Sequence, residues 1–115
     1  MMVDNTPKAV SDCHELLKWL IPQIDKFPRV RRFTLGERLE TTLLEVLEAV
    51  VEAAYTRQKQ PVLRRANLRI EVARHLWRLS YEFEVVNARR YQHGARLMDG
   101  VGRQIGGWLR HVGSA

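Results

Sequence analysis

Residues 61–86 read Pro-Val-Leu-Arg-Arg-Ala-Asn-Leu-Arg-Ile-Glu-Val-Ala-Arg-His-Leu-Trp-Arg-Leu-Ser-Tyr-Glu-Phe-Glu-Val-Val. Ala66, Ile70, Ala73, Trp77 and Ser80 recur at steps of three and four, with Leu63 and Leu76 beside them. That spacing lines one face of an α-helix, predicted over about 61–85. Pro61 suits the first turn, where its missing N–H leaves no bond unmade. Glu84 continues the stripe and marks where the core stops. A second stripe, Leu68, Val72, Leu79 and Val86, lies roughly 140–160° around the wheel at about 100° per residue. A helix that is apolar on two sides is buried on two sides. In so small a chain the second side is expected to meet another subunit.

Working outward, three further helices are predicted, over about 7–26, 34–57 and 87–112. In the first, Cys13, Leu17, Leu20, Ile24 and Phe27 form a seam. Thr6 is placed to cap it, Pro7 opens it, and Pro22 falls on its polar side, where a kink is expected. Residues 28–33 read as a loop carrying Arg29, Arg31 and Arg32. Thr34-Leu35-Gly36-Glu37 then reads as a capping box, so that Thr34→Ala should cost about 1 kcal/mol. Leu39, Leu43, Val46, Val50 and Ala53 form the apolar face of this second helix, opposite Glu37, Glu45, Glu48 and Glu52. Asn87 is a good cap for the fourth helix, whose apolar face is Met98, Val101, Ile105, Trp108 and Val112. Ala88, Ala95, Gly102, Gly106 and Gly113 fall on one narrow stripe, which permits close approach of a neighbouring helix. No alternating apolar pattern or Asn-Gly turn signals a strand. The fold class is therefore all-α: one domain over 1–115, an antiparallel up-down-up-down four-helix bundle.

Composition narrows the function. The chain has 115 residues, is 45% apolar, and carries a net charge of +6. A basic protein of this size favours acidic partners such as nucleic acid or an acidic protein. Cys13 is the sole cysteine, so no internal disulfide is possible. Met1 to Asn5 shows no signal pattern and no apolar run is long enough to span a membrane, so a cytoplasmic protein with no membrane partner is expected. Catalysis is poorly supported. Ser11, Ser80 and Ser114 lack a nucleophile context, and Gly100-Val101-Gly102 is no phosphate loop. Glu71 and His75 are four apart, without the second copy that a di-iron bundle requires. His14, His75, His93 and His111 share no metal-ligand spacing. No catalytic residue, metal or cofactor is expected.

The arginines carry the stronger signal. Residues 57–115 hold twelve Lys/Arg against four Asp/Glu, a net of +8, while residues 1–56 hold seven against nine, a net of −2. Arg89, Arg96, Arg103 and Arg110 repeat every seven residues. Seven residues fall about 20° short of two turns, so the four track one side of the helix. They form a rail roughly 32 Å long at about 1.5 Å per residue. Such a rail can follow a phosphate backbone. Arg64, Arg65, Arg69, Arg74 and Arg78 add charge on the third helix, where ion pairs with Glu71, Glu82 or the acidic stripe of the second helix are the alternative. Trp19, Trp77 and Trp108 fit apolar faces and no aromatic platform for bases is evident, so binding is expected to be backbone-directed.

The segments Phe27-Pro28-Arg29, Arg32-Phe33-Thr34-Leu35-Gly36-Glu37-Arg38-Leu39-Glu40 and Gly106-Gly107-Trp108-Leu109-Arg110 resemble the accessory variability determinant proteins of diversity-generating retroelements. More distantly, the chain resembles four-helix proteins encoded in intervening sequences of bacterial 23S ribosomal RNA genes. The resemblance spans roughly residues 13–112. It implies a four-helix protomer assembled into a basic, barrel-like homopentamer that binds a reverse transcriptase and its RNA template, with no catalytic residues. The expectation is thus a non-enzymatic, homo-oligomeric accessory protein. It would bind RNA or DNA through the nine arginines, and copies would join through Leu68, Val72, Leu79, Val86, Gly102 and Gly106. The alternative is a structural bundle whose basic face docks an acidic protein.

Overall fold

In a computed structural model, residues 7–113 are described. Four long helices, α1 (Lys8–Asp25), α2 (Glu37–Tyr55), α3 (Lys59–Glu82) and α4 (Ala88–Gly113), account for most of them, and no strand occurs among the described residues. Helices adjacent in sequence pack together, and α1 closes the bundle against α4. The long neighbours run antiparallel. On α2 and α3, Glu52 pairs with Arg65 and Glu45 with Arg69, numbers rising on one helix as they fall on the other. On α1 and α4, Gln23 meets Arg90 and Trp19 meets His93.

The core is built from the seams that the sequence marks. Cys13, Leu17, Leu20, Ile24 and Phe27 are buried, as are Leu39, Leu43, Val46, Val50 and Ala53, and Leu63, Ala66, Ile70, Ala73, Trp77 and Ser80. From α4, Met98, Val101 and Ile105 complete it, while Trp108 and Val112 are half-buried. Burial pushes the Cys13 thiol up to about 12, so it remains a protonated small hydrophobe at neutral pH. α1 continues through Pro22, which is exposed and cannot donate to the Lys18 carbonyl. The expected Thr6 cap lies outside the described residues.

The start of the second helix differs from expectation. Pro28 has extended backbone, and the helical course begins directly after it at Arg29–Arg31. A π turn follows at Arg32–Gly36, and α2 continues from Glu37 without a cap. There is no capping box. Thr34 is already inside helical backbone, and its hydroxyl donates backward to the carbonyls of Val30 at 3.1 Å and Arg31 at 3.3 Å. Pro28, which has no N–H to donate, thus precedes the helix start that the spacing places at Thr34. Thr34→Ala is now expected to change the unfolding free energy by no more than about 0.5 kcal/mol in urea titration, as for an ordinary surface position. A loss of about 1 kcal/mol or more would restore the cap. The π turn brings Gly36 under Ile24 and Phe27, where an added Cβ would lie 2.9 Å from Ile24 Cγ2.

The end of the third helix is also corrected. α3 stops at Glu82, three residues early, because Glu84 adopts a left-handed backbone with φ 60°. The Val85 N–H donates to the Ser80 carbonyl and the Glu84 N–H to that of Tyr81, which is the Schellman closure of a helix. Val86 therefore leaves the helix and is buried in the protomer core at 4% exposure, so it does not belong to an outer stripe. The Asn87 side chain accepts from the Arg90 N–H at 2.8 Å, capping α4 as expected.

Candidate nucleic-acid interface

On α4, heptad spacing keeps Arg89, Arg96, Arg103 and Arg110 outside the core face, and all four are exposed. Among the described residues, Arg89, Arg96 and Arg103 enter no ion pair, so their charge is open to solvent and to a polyanion. Arg103 and Arg110 border an open groove between α3 and α4, with Arg74, Asn67 and Asp99 on its other sides.

Gly102 and Gly106 of α4 line this groove. A Cβ on Gly106 would come 3.5 Å from Arg110 Nη1, and one on Gly102 would come 3.9 Å from Arg74 Nη1. Both are ordinary van der Waals distances, so a methyl group would fit at either position beside the guanidinium. Gly94 is different and is buried against the Trp77 indole.

The α3 arginines are mostly engaged. Arg65 pairs with Glu52 at 2.8 Å and Arg69 with Glu45 at 4.0 Å, both across to α2. Arg74 pairs with Asp99 at 2.9 Å and with Glu71 at 3.6 Å, while Arg78 pairs with Glu82 at 3.1 Å. Arg64 alone of the five is in no ion pair among the described residues. Two carboxylates of the acidic stripe of α2, Glu45 and Glu52, thus pair with α3, whereas Arg89, Arg96 and Arg103 of α4 stay outside any ion pair among the described residues. These pairs are half-exposed and each is worth no more than about 1 kcal/mol.

Of the second stripe, Leu68 is 58% and Leu79 38% exposed, and Val72 is half-buried. Leu44 and Val51 of α2 are also partly exposed.

Two arginine–aromatic contacts were not legible as a site in the sequence. The Arg31 guanidinium lies over the Phe83 ring, 4.6 Å from its centroid, and that of Arg32 over Phe33 at 5.0 Å. Phe33 and Phe83 are 58% and 53% exposed. A search confined to tryptophan misses them, although a phenylalanine directly after Arg31 and Arg32 was the available signal.

A protomer of this kind, four packed helices with one open basic ridge, defines a basic helical-bundle protein. The profile of the bAvd-like family matches residues 8–112, and the chain belongs to that family. This agrees with the resemblance to accessory variability determinant proteins. No curated protein matches the chain. No helix of the described residues is long and apolar enough to cross a membrane, and they hold no cluster of side chains able to bind a metal ion.

Proposed function

We propose that the chain is a non-enzymatic accessory protein of a diversity-generating retroelement. It assembles as a homo-oligomer, five copies by family resemblance, and holds RNA or DNA beside a reverse transcriptase. The observation that carries the nucleic-acid part is the exposed, unpaired state of Arg89, Arg96 and Arg103 along one helix. Unpaired surface arginines give up no protein partner when they meet phosphates, and each phosphate contact releases counterions. Exposed Leu68 and Leu79, with half-buried Val72 between them, support association of copies, which would repeat the ridge around the assembly.

The test is the salt dependence of RNA binding by Arg96→Gln/Arg103→Gln. Expected is a plot of log affinity against log salt flatter by roughly 1–2 units per bound protomer, with fold and assembly unchanged. An unchanged slope would mean that these arginines touch no phosphate. Loss of assembly in the variant would place them between subunits and favour the structural alternative, a basic face docking an acidic protein.

A further inference from the structure

We propose that Phe33 and Phe83, with Arg31 and Arg32, form a stacking platform for unpaired bases of a single-stranded nucleic acid. The inference rests on the nucleic-acid reading above and adds a place where bases, rather than phosphates, are held.

The platform is built by two backbone irregularities. The π turn Arg32–Gly36 carries Phe33 outward, while Gly36 is pinned beneath Ile24 and Phe27. Such turns inside helices are frequent at functional sites. At the facing helix end, the left-handed Glu84 terminates α3 directly after Phe83 and leaves that ring at the surface. The cation–π contact of Arg31 with Phe83 ties the two irregular segments together. Phe33, Phe83 and Arg31 border one open groove with Arg38, Leu76 and Glu37.

Phe33 and Phe83 are each more than half exposed, with a guanidinium over one face. Charge indicates what would cover them: Arg31 and Arg38 line the groove and Arg29 and Arg32 lie on the segment leading into it, against Glu37 in the groove and Glu84 next to Phe83. An aromatic face beside guanidinium groups matches a base together with its phosphate, the pairing that single-strand binders use. A duplex keeps its bases stacked inside and offers the rings nothing. The platform therefore gives a preference for single strands that the α4 ridge, which reads only phosphates, does not provide.

The test compares a labelled single-stranded RNA of about 20 nucleotides, longer than one expected site, with an abasic strand of equal length and charge. The variant is Phe33→Leu/Phe83→Leu, which keeps apolar bulk at two exposed positions and removes the rings. Expected is a loss of about 5- to 100-fold in RNA affinity, the range for one stacked base, with an unchanged salt slope and unchanged binding of the abasic strand. Full RNA affinity in the variant would overturn the platform and leave the phosphate ridge standing. So would a change of mass by light scattering, which would make the patch a subunit contact, or equal loss of binding to polyglutamate, which would make it a site for acidic protein. Wild-type failure to bind either strand at ~50 mM salt would instead overturn the nucleic-acid reading itself.

Discussion

Gly94→Ala is expected to destabilise the protomer by about 1–3 kcal/mol, although the same change in a free helix would stabilise it by up to about 1 kcal/mol. A Cβ at Gly94 would sit 2.7 Å from Cε2 and Nε1 of Trp77 and 2.8 Å from Cζ2. The indole has nowhere to retreat. It is fully buried, it packs edge-on against Trp19 with ring centroids 6.0 Å apart, and its Nε1–H donates to the Tyr91 carbonyl at 2.9 Å. Any shift that relieves the clash weakens that hydrogen bond, worth about 1 kcal/mol. Gly100, in the same helix, is the internal control. Nothing lies within 4 Å of a Cβ there, so Gly100→Ala is expected to stabilise by about 0.5–1 kcal/mol. Urea unfolding of the two variants should therefore give opposite signs. The same sign for both would mean that α4 does not lie on Trp77.

Leu68→Glu/Leu79→Glu is expected to reduce the assembly to monomers that remain folded, since neither side chain belongs to the protomer core. Two carboxylates buried without partners at a subunit contact cost far more than an apolar face of this kind returns. Nucleic-acid affinity should fall with assembly, by about 10²–10⁴-fold if several ridges act on one strand. Light scattering and circular dichroism on one sample separate the outcomes. Monomers with native helix content support the account, and loss of helix would assign the stripe to the protomer interior.

The bundle was legible because its seams are long and regular. Each of the four apolar faces read from spacing lies on the core side, and Trp77 of the stripe that decided the fold is fully buried. Helix ends were harder, for two physical reasons. Thr34 and Glu37 satisfy the spacing of a capping box, but Pro28 starts the helical course six residues earlier, and the hydroxyl then serves carbonyls behind it. Val86 fits a helical wheel only if the helix reaches it, and the left-handed Glu84 turns the chain inward first. No spacing rule reveals a non-glycine residue in that conformation. The arginines show a different limit. Sequence offers Glu71, Glu82 and the acidic stripe of the second helix as partners for the third-helix arginines but does not decide between pairing and an open ridge; the structure pairs Arg65, Arg69, Arg74 and Arg78, with Asp99 as a partner that spacing did not suggest. The Phe33 and Phe83 patch depends on a π turn meeting a helix end, which no local pattern encodes.

The central claim, an oligomer that holds nucleic acid, is tested most directly by light scattering of the wild-type chain mixed with a single-stranded RNA at ~50 mM salt, where phosphate contacts are strong. The expected result is one species whose mass equals the RNA plus several copies of the 13.4 kDa chain. Free RNA eluting apart from a protein of 13.4 kDa would contradict it.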